Sequence, residues 1–262
     1  MNCLIVAIVF VLVIQETLGF DKRVLENPNF FEGDIVPNAD MVMRRDEASK
    51  GVTPRLSIIN PDGLWKNKTV YLLNDMPSEW QKRNNHILNR AIHDIESKTC
   101  IRFKKQLTRN QGWWSDSKNN DYIRIFNGTG CWSFVGRQGG EQNLSLGIGC
   151  NAKGLVIHEL MHALGFFHKH SQPDREQYLN IHWQNIHPDM TKEFQIVNGR
   201  VFVKGFDMMS IMLYGPDSFS KKPGLTTISR KDGGRLMQVW DKPGLTAQDA
   251  FSINSLYRCE GY

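Results

Sequence analysis

His158-Glu159-Leu160-Met161-His162-Ala163-Leu164-Gly165-Phe166-Phe167-His168 is a three-histidine metal site written in one stretch. On an α-helix, residues four apart differ by about 40° in azimuth and about 6 Å in rise, so the imidazoles of His158 and His162 share a face. Glu159 falls on the adjoining flank, where its carboxylate reaches a water held by the metal rather than the metal itself. Gly165, three residues past His162, permits the left-handed turn that ends a helix. The chain can then swing back and deliver His168. Three neutral nitrogens with one position left open is the coordination of catalytic zinc, whereas a structural site would be closed by a fourth protein ligand. The stretch predicts a hydrolytic site holding one Zn2+ per chain, on a helix from about Lys153 to Leu164.

Outward from this helix, the texture is globular from about Leu64. Thr69-Val70-Tyr71-Leu72-Leu73 reads as a strand, and Pro77 closes the turn after it. Ser78 with Gln81 forms a capping box, after which Trp80, Ile87, Leu88, Ala91, Ile92 and Ile95 recur at helical spacing. Ile101–Phe103, Tyr122–Phe126 and Leu144–Ile148 read as further strands. Beyond the metal helix, Gly, Pro, Asp and Asn punctuate the chain. A final helix is signalled by Thr246 with Asp249 and by Ala250, Phe251, Ile253, Leu256 and Tyr257. The expected fold is α+β: an N-terminal twisted mixed sheet with two long helices, then an irregular C-terminal half with a terminal helix. The active-site cleft would lie between the halves, with the metal at its floor.

The chain has 262 residues, 40% hydrophobic and 23% charged, enough for a sizeable core. Its net charge of +5 is dispersed, and pairs such as Lys221-Lys222 and Arg230-Lys231 make no basic run, so a nucleic-acid groove is excluded. Leu4 to Ile14 is an apolar run too short to span a bilayer. It suits a signal peptide cut after Gly19, although no Lys or Arg precedes it. Residues 1–19 are therefore expected to be removed, leaving a secreted protein with no membrane anchor. Cys3 goes with them. Cys100, Cys131, Cys150 and Cys259 remain, and four cysteines allow three pairings that spacing cannot choose between. Asn67, Asn127 and Asn143 each begin a glycosylation triplet. Residues 20–50 are polar and without sustained periodicity, a detachable pro-segment in which Arg44-Arg45 offers a cut to an activating protease. Residues 51–262 form the catalytic domain, expected to act as a monomer on proteins or peptides.

Together these residues resemble the astacin family of secreted metalloendopeptidases, within the metzincin group. The run from His158 to His168 is similar to that family's extended zinc signature, Ser210-Ile211-Met212-Leu213-Tyr214 to its Met-turn, and Cys131-Trp132-Ser133-Phe134-Val135-Gly136-Arg137 to its segment after the second cysteine. The resemblance implies disulfides Cys100–Cys259 and Cys131–Cys150. It implies a hydrophobic floor at Met212 beneath the imidazoles, and a Tyr214 that is a weak metal ligand able to swing onto the reacting carbonyl's oxyanion. Glu159 would be the general base. Substrate would lie extended against an edge strand near Leu144 to Ile148. Phe31-Glu32-Gly33-Asp34 resembles the family's latency motif, in which the aspartate takes the metal's open position.

Two departures stand out. Lys169 follows the third histidine where the family usually has Glu, which there is linked to a buried new N-terminus. Two cations would repel, so the mature N-terminus is not expected to dock beside residue 169. Gln172 stands where Arg is common. No Gly-x-Ser-x-Gly elbow is present to support a serine hydrolase. A catalytically silent, secreted binding or venom-type protein on the same scaffold would be marked by a lost ligand or a replaced Glu159, and neither occurs.

Overall fold

In a computed structural model, residues 23–37, 63–106, 121–197 and 205–262 are described. The apolar run of 1–19 and Arg44-Arg45 lie outside them. The N-terminal half is built on a five-stranded sheet in the order β2-β1-β3-β5-β4, with β1 Thr69–Asn74, β2 Arg102–Gln106, β3 Tyr122–Phe126, β4 Cys131–Trp132 and β5 Glu141–Leu146. All neighbouring pairs are parallel except β4–β5, which is antiparallel. A twisted parallel sheet needs helices to cover it. These are α1 (Ser78–Lys98) and α2 (Lys153–Leu164), which pack against each other.

α1 buries Leu88, Ala91, Ile92 and Ile95, the stripe its spacing predicts. α2 is different. Every residue from Gly154 to Leu164 is buried, as expected of a helix enclosed on all sides rather than an amphipathic one. Its last turn is satisfied from outside. The Trp65 indole donates to the Ala163 carbonyl (2.8 Å), the Tyr257 hydroxyl to that of Leu164 (3.0 Å), and the Gly136 and Gly165 amides to that of His162 (2.8 and 2.7 Å). Gly165 adopts φ 113, and this left-handed residue turns the chain toward His168.

Among its described residues, the C-terminal half carries the short β6 (Leu179–Ile181) and β7 (Ile228–Arg230), paired antiparallel, several 3-10 turns and the terminal helix α3 (Ala247–Leu256). The Thr246 side chain accepts from the Asp249 amide and Asp249 reaches back to the Thr246 amide, so the predicted capping box is present. Disulfides Cys100–Cys259 and Cys131–Cys150 are formed. The α+β expectation holds.

Two local expectations are corrected. The Ser78–Gln81 box does not form. Pro77 is the cap residue, its carbonyl accepts from the Gln81 amide (3.0 Å), and the Gln81 side chain is spent on the Met76 carbonyl (2.7 Å). The strand near Leu144–Ile148 is also not the sheet's edge. β5 ends at Leu146, Ile148 projects into solvent beyond it, and β4 lies outside it. The sheet therefore meets the cleft at Cys131–Ser133.

Candidate metal centre

The three sequence-predicted histidines converge. Their Nε2 atoms lie 3.0 Å (His158–His168), 3.1 Å (His158–His162) and 3.1 Å (His162–His168) apart, with all three rings buried. Two of the rings turn their other nitrogen to a carbonyl, which can only accept, and the third turns it to the Glu32 carboxyl. His158 Nδ1 is 2.8 Å from the Ile211 carbonyl, His162 Nδ1 is 2.7 Å from that of Phe166, and His168 Nδ1 is 2.6 Å from the Glu32 carboxylate. Nδ1 therefore carries the proton in His158 and His162, and in His168 when Glu32 is ionised, so that three Nε2 lone pairs face one another. Burial pushes the His158 and His168 imidazoles down to about 4, so both are neutral near pH 7.

Converging lone pairs repel unless a cation sits among them. Three nitrogens bonded to one Zn2+ at about 2.0–2.1 Å in a tetrahedral array would stand roughly 3.3–3.4 Å apart. The observed triangle is within a few tenths of an ångström of that, so the residues fit the ion.

Asp34 completes the cluster. Its carboxylate lies 3.0 Å from His158 Nε2, 3.2 Å from His168 Nε2 and 3.5 Å from His162 Nε2, and is fully buried. It arrives on a tight turn closed by Phe31–Ile35 pairing, with Ile35 bridged to Ser133 beside the edge strand. Gly33 is required there. It has φ +85, and a Cβ would stand 2.3 Å from the Leu25 carbonyl oxygen. Phe31 and Ile35 pack with Val135, Val197 and Phe167. Glu32 adds grips of its own: its amide donates to Glu193 (2.6 Å), its carbonyl accepts from the Tyr214 hydroxyl, and its carboxylate holds His168. Burial raises the Glu32 carboxyl to about 7, with His170 opposing the shift.

Glu159 is buried beside this cluster, and neither carboxylate oxygen has a hydrogen-bond partner among the described residues. Burial, reinforced by Asp34, raises its pKa well above the usual carboxylate range. The Tyr214 ring stacks on His170 (centroids 4.7 Å apart) and lies tilted against His168 (4.2 Å), and the two imidazoles also touch each other (5.3 Å). Met212 is buried in the core, and its carbonyl accepts from the Lys169 amide (2.9 Å). Lys169 is itself largely buried. Burial lowers its pKa, and the nearby Asp249, Asp207 and Asp174 carboxylates oppose that.

His170 has no assigned part in the sequence reading, and the structure places it fully buried behind Tyr214, with Nε2 3.1 Å from the Glu193 carbonyl. Arg175 buttresses the same loop by donating to the His170 and Phe194 carbonyls. Glu32, Glu193 and Lys242 are the contributions that sequence reasoning missed. For Glu32 a signal existed, since it sits inside the Phe31–Asp34 motif. Asn67 and Asn127 are exposed, whereas Asn143 is paired within β5 and its Oδ1 is buried.

A buried three-histidine cluster with an adjoining orphan carboxylate, on a helix closed by glycine, defines a metallopeptidase centre. The model of the astacin peptidase family matches residues 57–258, and the chain belongs to that family. It is 31% identical to zinc metalloproteinase nas-15 of Caenorhabditis elegans, over 92% of this chain and 41% of that protein. It is 32% identical to zinc metalloproteinase nas-4 of the same organism, over 94% of this chain and 75% of that protein. Among solved structures it is similar to high choriolytic enzyme 1, a hatching-enzyme zinc protease of Oryzias latipes. The two agree with a TM-score of 0.65 and 31% identity, covering 77% of this chain and 97% of that one. The chain thus spans less than half of one of these relatives and three quarters of another. The ion its donor set fits is zinc, the metal in those relatives' names.

Proposed function

We propose that this chain is a zinc-dependent endopeptidase, secreted and held latent by its own leader until an activating protease removes it. His158, His162 and His168 hold one Zn2+. Bound there, the ion lowers the pKa of water and polarises a carbonyl. Asp34 occupies the position facing the three imidazoles, where a substrate carbonyl would otherwise enter. Once the leader is gone, Glu159 takes the proton of the attacking water and returns it to the departing amine. The Tyr214 hydroxyl, released from the Glu32 carbonyl, donates to the oxyanion that develops on the scissile carbonyl. Met212 belongs to the packed floor below.

The single observation that carries latency is the Asp34 carboxylate within 3.5 Å of all three Nε2 atoms. Export is supported by two disulfides, which persist in oxidising compartments, and by the signal-like run at 1–19. Among the described residues, no helix is long and apolar enough to cross a membrane. The proposed division is a signal peptide at 1–19, a pro-segment at 20–50 and a catalytic domain at 51–262, monomeric and acting on proteins or peptides. Asn67 and Asn127 are the accessible glycan acceptors, and Asn143 the least accessible.

The test is hydrolysis of a generic protein substrate before and after leader removal, with and without a chelator. Activity should emerge on processing, vanish with the chelator and return with zinc. Hydrolysis that survives metal removal overturns the reading.

A further inference from the structure

From Ser210 to Leu213, every polar main-chain group of the Met-turn is spoken for. The Ser210 carbonyl accepts from the Leu213 amide (3.1 Å) and from the Lys242 ammonium (2.8 Å). The Leu213 carbonyl accepts from the same Nζ, so one side chain closes the open end of the turn. On the other flank, Asp249 accepts from the Ser210 hydroxyl (2.6 Å) and the Ile211 amide (2.9 Å). The Ser210 oxygen in turn accepts from the Met212 amide (3.2 Å). Two outputs leave this frame. The Ile211 carbonyl fixes His158 Nδ1, and Tyr214 follows directly after Leu213 with its ring against His168.

Lys242 and Asp249 are both buried, on the segment that leads into α3 and on α3 itself. A buried ammonium is an expensive way to fill space. An apolar side chain of the same length would pack there without the desolvation cost. What an apolar side chain lacks is the pair of donors that tie two carbonyls together.

We propose that Lys242 is a positioning residue for catalysis: from beneath the Met-turn it holds the Ser210 and Leu213 carbonyls, and so sets both the Ile211 carbonyl that orients His158 and the Tyr214 hydroxyl that faces the cleft. This rests on the reading of His158 and Tyr214 given above. Lys242 touches neither substrate nor metal ligand. Its influence passes through the turn.

The test uses the processed full chain with Lys242→Met, which keeps the length and loses the donors, combined with Tyr214→Phe. Lys242→Met should lower kcat on a quenched peptide about 10- to 100-fold and leave KM within about twofold. The Tyr214→Phe penalty should shrink to less than about threefold in the Lys242→Met background, because a misplaced hydroxyl has little left to lose. A structural role alone would leave the two penalties multiplying. Independently of activity, the absorption bands of the cobalt-substituted protein should shift in Lys242→Met as His158 loses its fixed orientation. Unchanged kcat, multiplying penalties or an unshifted cobalt spectrum overturns the assignment. Should Lys242→Met not fold, Lys242→Gln, whose shorter amide cannot span both the Ser210 and Leu213 carbonyls, is taken through the same cycle under the same criteria. A wild-type chain without zinc-dependent hydrolysis counts against the proposed function, and the cobalt spectrum then still decides Lys242.

Discussion

Asp34→Ala isolates the latch from the plug. Asp34 brings one buried carboxylate within 3.0–3.5 Å of three neutral imidazole nitrogens, while Phe31 and Ile35 contribute apolar packing with Val135, Val197 and Phe167. The three polar contacts share one anion, so their energies do not add. Truncating one partner of a buried charged arrangement costs about 3–5 kcal/mol. At about 1.4 kcal/mol per decade, that is a loss of roughly 10²- to several 10³-fold in the leader's hold. Phe31→Ala, by contrast, removes a ring from a small cluster and costs about 3 kcal/mol or less where neighbours can collapse.

The assay is inhibition of the processed enzyme by a synthetic peptide of residues 23–37, with each substitution in turn. With zinc present, the Asp34→Ala peptide should inhibit at least a hundredfold more weakly than the parent. With the metal removed, direct binding by calorimetry should show a much smaller gap between them, whereas the Phe31→Ala deficit should be the same in both states. An Asp34→Ala peptide that inhibits within threefold of the parent would mean that steric filling alone produces latency, and the carboxylate's role would be refuted.

Other consequences are checked more simply. Glu159→Gln should bind zinc stoichiometrically by metal analysis yet lose about 10²-fold or more in kcat, and wild-type turnover in a zinc-loaded variant would remove Glu159 as the base. Burial holds His158, His168 and His170 near 4 in the folded chain against 6.5 unfolded, so the unfolded state binds more protons between those values. The three histidines should therefore make the metal-free chain more stable as pH rises from about 4 to 6.5. Glu32, raised to about 7, and Glu159, raised well above the carboxylate range, pull the opposite way above pH 4.5 but are two groups against three. A melting temperature that falls over that interval contradicts the burial. The Cys100–Cys259 bridge closes a separation of 159 residues and Cys131–Cys150 one of 19, so replacing the first pair with serine should destabilise by about 5 kcal/mol and the second by about 3, read by denaturant unfolding. The family resemblance would seat a buried N-terminus beside residue 169, which here is the buried Lys169, so the processed α-amino group should react with an amine reagent as fast as a free peptide does. Protection from the reagent would show it docked.

The parts of this molecule that were legible in its sequence are those whose reason is local. α2 begins and ends where the spacing says, because its ligands, its base and Gly165 all obey one 3.6-residue period. The capping box at Thr246 obeys a fixed offset in the same way. The box expected at Ser78 failed because a preceding proline took the cap position and Gln81 found a nearer carbonyl, a contest that residue types alone do not decide. The edge strand was misplaced for a different reason. β4 has two residues and therefore no period, and which strand lies outermost follows from the crossover order rather than from any one segment. The irregular C-terminal half goes furthest in this direction. It is fastened by buried polar side chains that each bind main chain far away in sequence: Arg175 to the carbonyls of His170 and Phe194, Lys242 to those of Ser210 and Leu213, Asp249 to the Ile211 amide. A segment held by such ties needs no apolar periodicity, so nothing in the sequence pattern marks Lys242 as buried, and Asp249 reads only as the partner of Thr246 at a helix start. Those same ties carry the Met-turn and the loop after His168. The least legible half of the sequence is therefore the half that fixes how His158 points.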